Sequence, residues 1–234
     1  MKALEEFLIN IDESLIDDKK LAQFENYYEL LIEKNKVMNL TAITDRDEVV
    51  LKHFIDSVAL LKFHKLTNEK IIDVGTGAGF PGIPLKIVCP DINVTLFDSL
   101  NKRVLFLREV IDELGLSGIE ALHGRAEEGG RDKAMREAYD IAVSRAVANM
   151  AVLSEYCLPF VRTGGYFIPY KSFEIEEELN EGKKAISILG GKTEKVEKLE
   201  IEGNGRSFIF IKKEKPTPKA YPRKAGTAKK QPLA

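Results

Sequence analysis

Four glycines stand between an apolar run and a second apolar stretch in Ile71-Ile72-Asp73-Val74-Gly75-Thr76-Gly77-Ala78-Gly79-Phe80-Pro81-Gly82. Glycine adopts positive φ without strain and lets a ligand lie against bare backbone, while a helix start offers N–H groups with no intrahelical partner. A ligand-free turn does not need that much backbone freedom, so the segment points to a nucleotide-like ligand. Asp98 ends a second apolar run, 23 residues after Gly75, where a carboxylate can accept from both hydroxyls of a ribose. A third run leads into His123-Gly124-Arg125-Ala126-Glu127. The backbone at Ala126 and Glu127 can read an adenine edge, and the stretch can equally be a solvated charged loop. A fourth run ends in Ser144-Arg145-Ala146, with a guanidinium suited to a carboxylate, a phosphate or a carbonyl oxygen.

The elements that position these residues follow from periodicity. Residues 1–65 read as helices, with Leu4, Phe7, Leu8 and Ile11 on one face and Leu21, Phe24, Tyr27, Tyr28 and Leu31 on another. A third helix is expected from about Asp45 to Phe63, capped by Thr44. From Lys70 the pattern becomes strands at 70–74, 93–98, 119–123, 140–144 and 165–170, alternating with helices at 83–88, 102–114, 150–160 and 175–189. Such alternation predicts an α/β fold with a parallel sheet covered on both faces. Residues 193–201 and 206–212, separated by EGNG, predict a closing antiparallel hairpin and a seven-stranded sheet. The organisation is a helical subdomain (1–65), a sheet domain (66–212) and a basic, proline-containing tail (213–234).

Two cofactors compete for the glycine loop. The dinucleotide pattern GxGxxG, aligned from Gly75, places Phe80 where helix and strand must pack closely; aligned from Gly77, it places Pro81 where a backbone donor is wanted. The D-x-G-x-G-x-G form of Asp73, Gly75, Gly77 and Gly79 resembles instead the first motif of the S-adenosylmethionine-dependent methyltransferases. The closing hairpin agrees, because an antiparallel seventh strand marks the methyltransferase version of this Rossmann-like sheet.

The strand ending at Arg145 speaks to the methyl acceptor. No Asn/Asp-Pro-Pro-aromatic motif for exocyclic amines is present there, and Cys157, followed by Leu158 in a helix, reads as a core residue and not a nucleophile. Guanine N7 fits what remains, since its lone pair is free and no proton must be removed. Alignment and electrostatics then suffice, with no dedicated base.

Asn39-Leu40-Thr41-Ala42-Ile43, His53-Phe54-Ile55-Asp56-Ser57, the glycine loop with its Phe80-Pro81-Gly82, and Ser144-Arg145-Ala146 resemble the glucose-inhibited division protein B family over nearly the whole chain. Tyr221-Pro222-Arg223-Lys224-Ala225-Gly226 resembles members that carry a basic tail. The resemblance implies a class I methyltransferase acting on guanine N7 of bacterial 16S ribosomal RNA, with S-adenosylmethionine as cofactor; the partner is the naked rRNA, the small ribosomal subunit or its assembly intermediate. It implies cofactor contacts at Gly75, Phe80, Ala126, Glu127 and Arg145; Gly77 and Asp98 are added from the loop and from strand position. Thr76 stands where many members have serine, which keeps the hydroxyl. His53 and Asp56, three apart on a helix, can face the active site or form a structural pair, and neither is assigned to catalysis. A small-molecule methyltransferase and a non-catalytic RNA-binding protein are the alternatives.

Composition narrows the setting. Only two cysteines and three histidines occur, none at metal-ligand spacing, so no metal is expected and a reducing cytoplasm fits best. No apolar run is long enough to span a membrane, the N-terminus is acidic and unlike a signal peptide, and a monomer is expected. The formal charge of −2 hides an asymmetry: residues 212–234 carry +7, which leaves −9 on the other 211. Pro216, Pro218 and Pro222 predict an extended, mobile tail, with Tyr221 free to stack on a base. On that expectation the tail attracts RNA and leaves cofactor affinity alone.

Overall fold

A computed structural model describes residues 1–145 and 147–233; Ala146 of the Ser144-Arg145-Ala146 segment and Ala234 at the end of the tail lie outside the described residues. Two helices open the chain, α1 (Lys2–Ile9) and α2 (Asp18–Met38). A continuous helical segment follows as α3 (Arg46–Val49), a π-helical stretch (Val50–Ile55), α4 (Asp56–Val58) and a 3-10 turn (Ala59–Lys62). The N-cap of this segment is Asp45, not Thr44: its carboxylate accepts from the Glu48 amide at 3.0 Å. An ionised acceptor satisfies a first-turn donor better than a threonine hydroxyl and also complements the helix dipole.

Strands and helices then alternate: β1 (Lys70–Val74), α5 (Gly82–Val88), β2 (Asn93–Asp98), α6 (Asn101–Glu113), β3 (Ile119–His123), α7 (Ala126–Gly129), β4 (Tyr139–Arg145), α8 (Met150–Cys157), β5 (Val161–Ser172), α9 (Glu176–Ile188), β6 (Gly191–Ile201) and β7 (Asn204–Lys213). The seven strands lie in the order β3-β2-β1-β4-β5-β7-β6. β1 to β5 run parallel, and β7 is antiparallel to both β5 and β6. The hairpin turns through Glu202 (φ 47°) and Gly203 (φ 76°), two positive-φ residues as a primed two-residue turn requires. Because β1 pairs with β2 on one side and β4 on the other, the chain reverses its direction of travel there. A crevice opens at the carboxyl ends of these strands.

The N-terminal helices share one apolar core with a face of this sheet, joining Phe24, Tyr27 and Phe54 to Phe80, Ile83 and Leu96. Tyr27 sits at the junction: its ring packs on Phe54 and Phe80, and its hydroxyl donates to the Ala78 carbonyl inside the glycine loop. Tyr170 makes a second tie, donating to the Ser57 carbonyl at 2.8 Å.

The basic tail is not extended and free. It folds back on the body and ends in a short helix, α10 (Thr227–Lys230), with Thr217, Pro222 and Ala228 buried. Tyr221 is half-buried in the apolar cluster around α8 and is not presented for stacking. The body supplies the polar partners a proline-rich segment cannot supply for itself. Arg136 donates to the carbonyls of Thr217 and Tyr221, and Arg131 to that of Pro222.

Tyr27→Phe removes one hydroxyl and leaves the Ala78 carbonyl buried without its donor. We expect a loss of about 1–2 kcal/mol, read as a lower urea midpoint at unchanged slope.

Candidate functional site: two cavities beside the glycine loop

The loop that follows β1 is pinned from below. Asp73 is fully buried, and its Oδ2 accepts from the Thr76 hydroxyl (2.7 Å) and the Gly82 amide (2.9 Å), near the two ends of the loop. Burial pushes the Asp73 carboxyl up to about 6, although both hydrogen bonds pull the other way. Gly79 has φ +104°, and a Cβ there would lie 2.6 Å from the Tyr27 hydroxyl oxygen and 2.5 Å from Ile83 Cδ1, so no other residue fits. Gly77 has φ +64° and nothing within 4 Å of a Cβ position, which leaves its face open. Asp98 turns its carboxylate to this loop: Oδ2 accepts from the Gly77 amide at 3.0 Å and Oδ1 from Leu100 at 2.9 Å.

A first cavity of about 200 Å³ lies at the carboxyl ends of β1 to β3, lined by Gly75, Ser99, Ala126, Glu127, Tyr156 and Lys229, among others. Ala126 and Glu127 open α7, so their amides have no partner within the helix and can meet a ligand. These donors, the bare glycine backbone and the Tyr156 ring suit an adenosyl group. The cavity is smaller than the roughly 300–1,000 Å³ usual for small-molecule sites, so it has room for one end of such a cofactor.

A second cavity, of about 320 Å³, is lined by Lys52, His53, Asp56, Arg145 and Arg206 with Leu51 and Ile43. The Asp56 carboxylate takes Arg145 Nη1 on one oxygen (2.6 Å) and Arg206 Nε on the other (2.5 Å). It thereby joins α4 to β4 and β7. The π-helical stretch before α4 brings Lys52 and His53 to the same place: Arg145 Nη1 also donates to the Lys52 carbonyl at 3.1 Å, and Nη2 lies 3.3 Å from His53 Nδ1. The ring is engaged at both nitrogens: Nδ1 also lies 3.1 Å from the Lys52 carbonyl, and Nε2 lies 2.8 Å from the Thr41 hydroxyl, which can donate or accept. Burial, and then the neighbouring Arg145 charge, lower the His53 pKa to about 4. The imidazole stacks on Phe80 at 4.6 Å, and Arg145 lies 5.1 Å over the same ring. Phe80, in the glycine loop, therefore packs against two residues that line the second cavity.

The seven residues singled out from sequence divide accordingly. Gly75, Ala126 and Glu127 line the first cavity. Gly77 and Asp98 shape the loop beside it, and Phe80 and Arg145 belong with the second cavity, together with His53 and Asp56. Tyr156, Gly226 and Lys229 on the first cavity, and Lys52 and Arg206 on the second, were not anticipated. The only sequence signal for them was the tail motif around Arg223 to Gly226. Cys157 is buried in the apolar core, and burial pushes its thiol up, as suits a packing residue.

A sheet of this order with a glycine loop at its switch point defines an S-adenosylmethionine-dependent methyltransferase fold. Solved structures agree: a SAM-dependent methyltransferase from Aquifex aeolicus aligns with a TM-score of 0.55 at 19% identity, over 74% of this chain and 96% of that one. The M. jannaschii TYW2 structure in complex with AdoMet aligns with a TM-score of 0.55 at 16% identity, over 68% of this chain and 76% of that one. The particular family is settled by sequence. The chain belongs to the family described as GidB: rRNA small subunit methyltransferase G, whose profile matches residues 20–208. Relatives with the name Ribosomal RNA small subunit methyltransferase G are 55% identical in Lachnoclostridium phytofermentans (93% of this chain, 91% of the relative) and 56% identical in Desulforamulus reducens (94% and 92%).

His53 is expected to stay neutral through the physiological range. Its C–H resonances should not titrate between pH 8 and about 5 by NMR. Its folded pKa is depressed, so its contribution to stability is complete above pH 6.5 and is lost as pH falls through about 4.

Proposed function

We propose that the chain transfers the methyl group of S-adenosylmethionine to N7 of a guanine in 16S rRNA, with the adenosyl end in the first cavity and the base in the second. The observation that carries this reading is that Gly75, Ala126 and Glu127 line the first cavity while Phe80 of the same loop packs on His53 and Arg145, which line the second, in a chain of this family. The cofactor, when bound, supplies an electrophilic methyl on a cationic sulfur. Gly75 and Gly77 offer the backbone surface along which it lies, Asp98 holds Gly77 in place or receives the ribose hydroxyls, and Ala126 and Glu127 meet the adenine edge.

The protein's remaining task is alignment. Guanine N7 brings its own lone pair, so a neutral His53 and an ion-paired Asp56 are not needed as bases. Arg145 Nη1 donates to Asp56 and to the Lys52 carbonyl, and Nη2 faces His53; its Nε–H and at least one Nη2–H have no partner among the described residues. We assign them to guanine O6 or a neighbouring phosphate, and not to N7, because a donor there would occupy the attacking pair. On this reading the protein acts as a monomer in the cytoplasm. Among the described residues no helix is long and apolar enough to cross a membrane.

Three tests follow from this. Mapping N7-methylguanine in rRNA from a deletion strain should show one site lost and restored by the gene; an unchanged map refutes the assignment. Gly77→Val should abolish cofactor binding by calorimetry while circular dichroism reports a folded protein. Arg145→Lys keeps charge but loses the planar fork, and single-turnover transfer should fall about 10- to 100-fold.

A further inference from the structure

The first cavity has a wall that comes from far along the chain. Gly226 and Lys229 line it beside Gly75, Ala126 and Glu127. They are held there by buried polar contacts. Arg223 grips Glu155 with two N–H donors, Nε to Oε1 at 3.0 Å and Nη2 to Oε2 at 2.6 Å, and the Arg223 amide adds a third at 2.7 Å. The Glu155 side chain is 1% exposed, so this carboxylate would be costly to bury without that fork. Three residues on, the Gly226 amide donates to Glu127 Oε1 at 2.9 Å, which fixes the side chain of a residue that opens α7. Ala228 then buries its methyl in the apolar cluster with residues of α8, and Lys229 follows at the cavity edge.

We propose that residues 223–230 are part of the cofactor site, with Lys229 as a direct contact to the adenosyl group and Arg223 and Gly226 as positioning residues that act through Glu155 and Glu127. The proposal rests on the reading of the first cavity as the adenosyl site. The chemistry is specific: an ammonium at this edge can donate to a ring nitrogen of the purine or to a ribose hydroxyl, both neutral acceptors, and it lies on the side of α7, where the adenine edge is read. Gly226 and Lys229 close one side of this small cavity. On this proposal removing the tail weakens cofactor binding, the opposite of the sequence-based expectation.

The test is calorimetric titration of S-adenosylhomocysteine into the full chain, a variant lacking 225–234, Lys229→Glu and Gly77→Val, each checked for fold by circular dichroism. Lys229 is exposed, so its substitution leaves the packing intact. We expect the deletion to weaken binding roughly ten-fold, the scale of one charge-assisted contact, and Lys229→Glu several-fold, less because the ammonium is solvent-exposed. Normal affinity in both, with binding lost in Gly77→Val, overturns the proposal and returns the segment to an electrostatic role toward RNA. Normal affinity in Gly77→Val as well means that the cavity itself is misassigned, and the proposal falls with it.

Discussion

The site depends on one carboxylate that water cannot reach. Asp73 ends up beneath the glycine loop with one oxygen shared between Thr76 and Gly82, while its other oxygen has no partner among the described residues. Keeping an anion there is expensive, and its raised pKa measures that expense: its contribution to stability is complete below about pH 3.8 and is lost as pH rises through about 6. In return the loop has a fixed curvature. The open face of Gly77 and the hydrogen bond that Asp98 accepts from it, beside the first cavity, presuppose that curvature.

A second charged group organises the other side. Asp56, between Arg145 and Arg206, draws a helix and two strands to one point, and neither guanidinium is left buried without a partner. The two arrangements meet at Phe80, whose ring has the Tyr27 ring at 5.4 Å and the His53 ring at 4.6 Å. The chemistry proposed for the protein asks for no proton transfer. A scaffold that spends its buried charges on holding positions, and keeps its histidine neutral, is consistent with such chemistry.

Much of this was legible in the sequence. The strands at 70–74, 93–98 and 119–123 are where their apolar runs end in punctuation, because buried parallel strands leave continuous apolar stretches. The hairpin was legible because its turn needs glycine. The third helix was legible as a helix but not as one with a π-helical stretch, since its apolar spacing is that of an ordinary helix and the displacement of Lys52 and His53 follows from tertiary contacts. The tail was misread for a physical reason. Lysine and proline content describes what a segment can do alone, whereas its order here comes from Arg131, Arg136 and Glu155, which lie some 70 to 90 residues earlier in the chain. Arg145 was found by its place at a strand end, but its partners come from another part of the chain and could not be read from spacing.

The Tyr27 hydroxyl reaches from α2 into the loop after β1, and this has a bearing on how the molecule comes apart. The first helices contribute no strand, so the sheet can persist after they detach. The loop cannot: it would lose the donor for Ala78, the aromatic rings that cover Phe80, and the Asp56 anchor of Arg145 together. Inactivation by heat or protease would then begin as peeling at one end, with ligand recognition failing while most backbone structure is intact. A far-ultraviolet spectrum alone would miss that event.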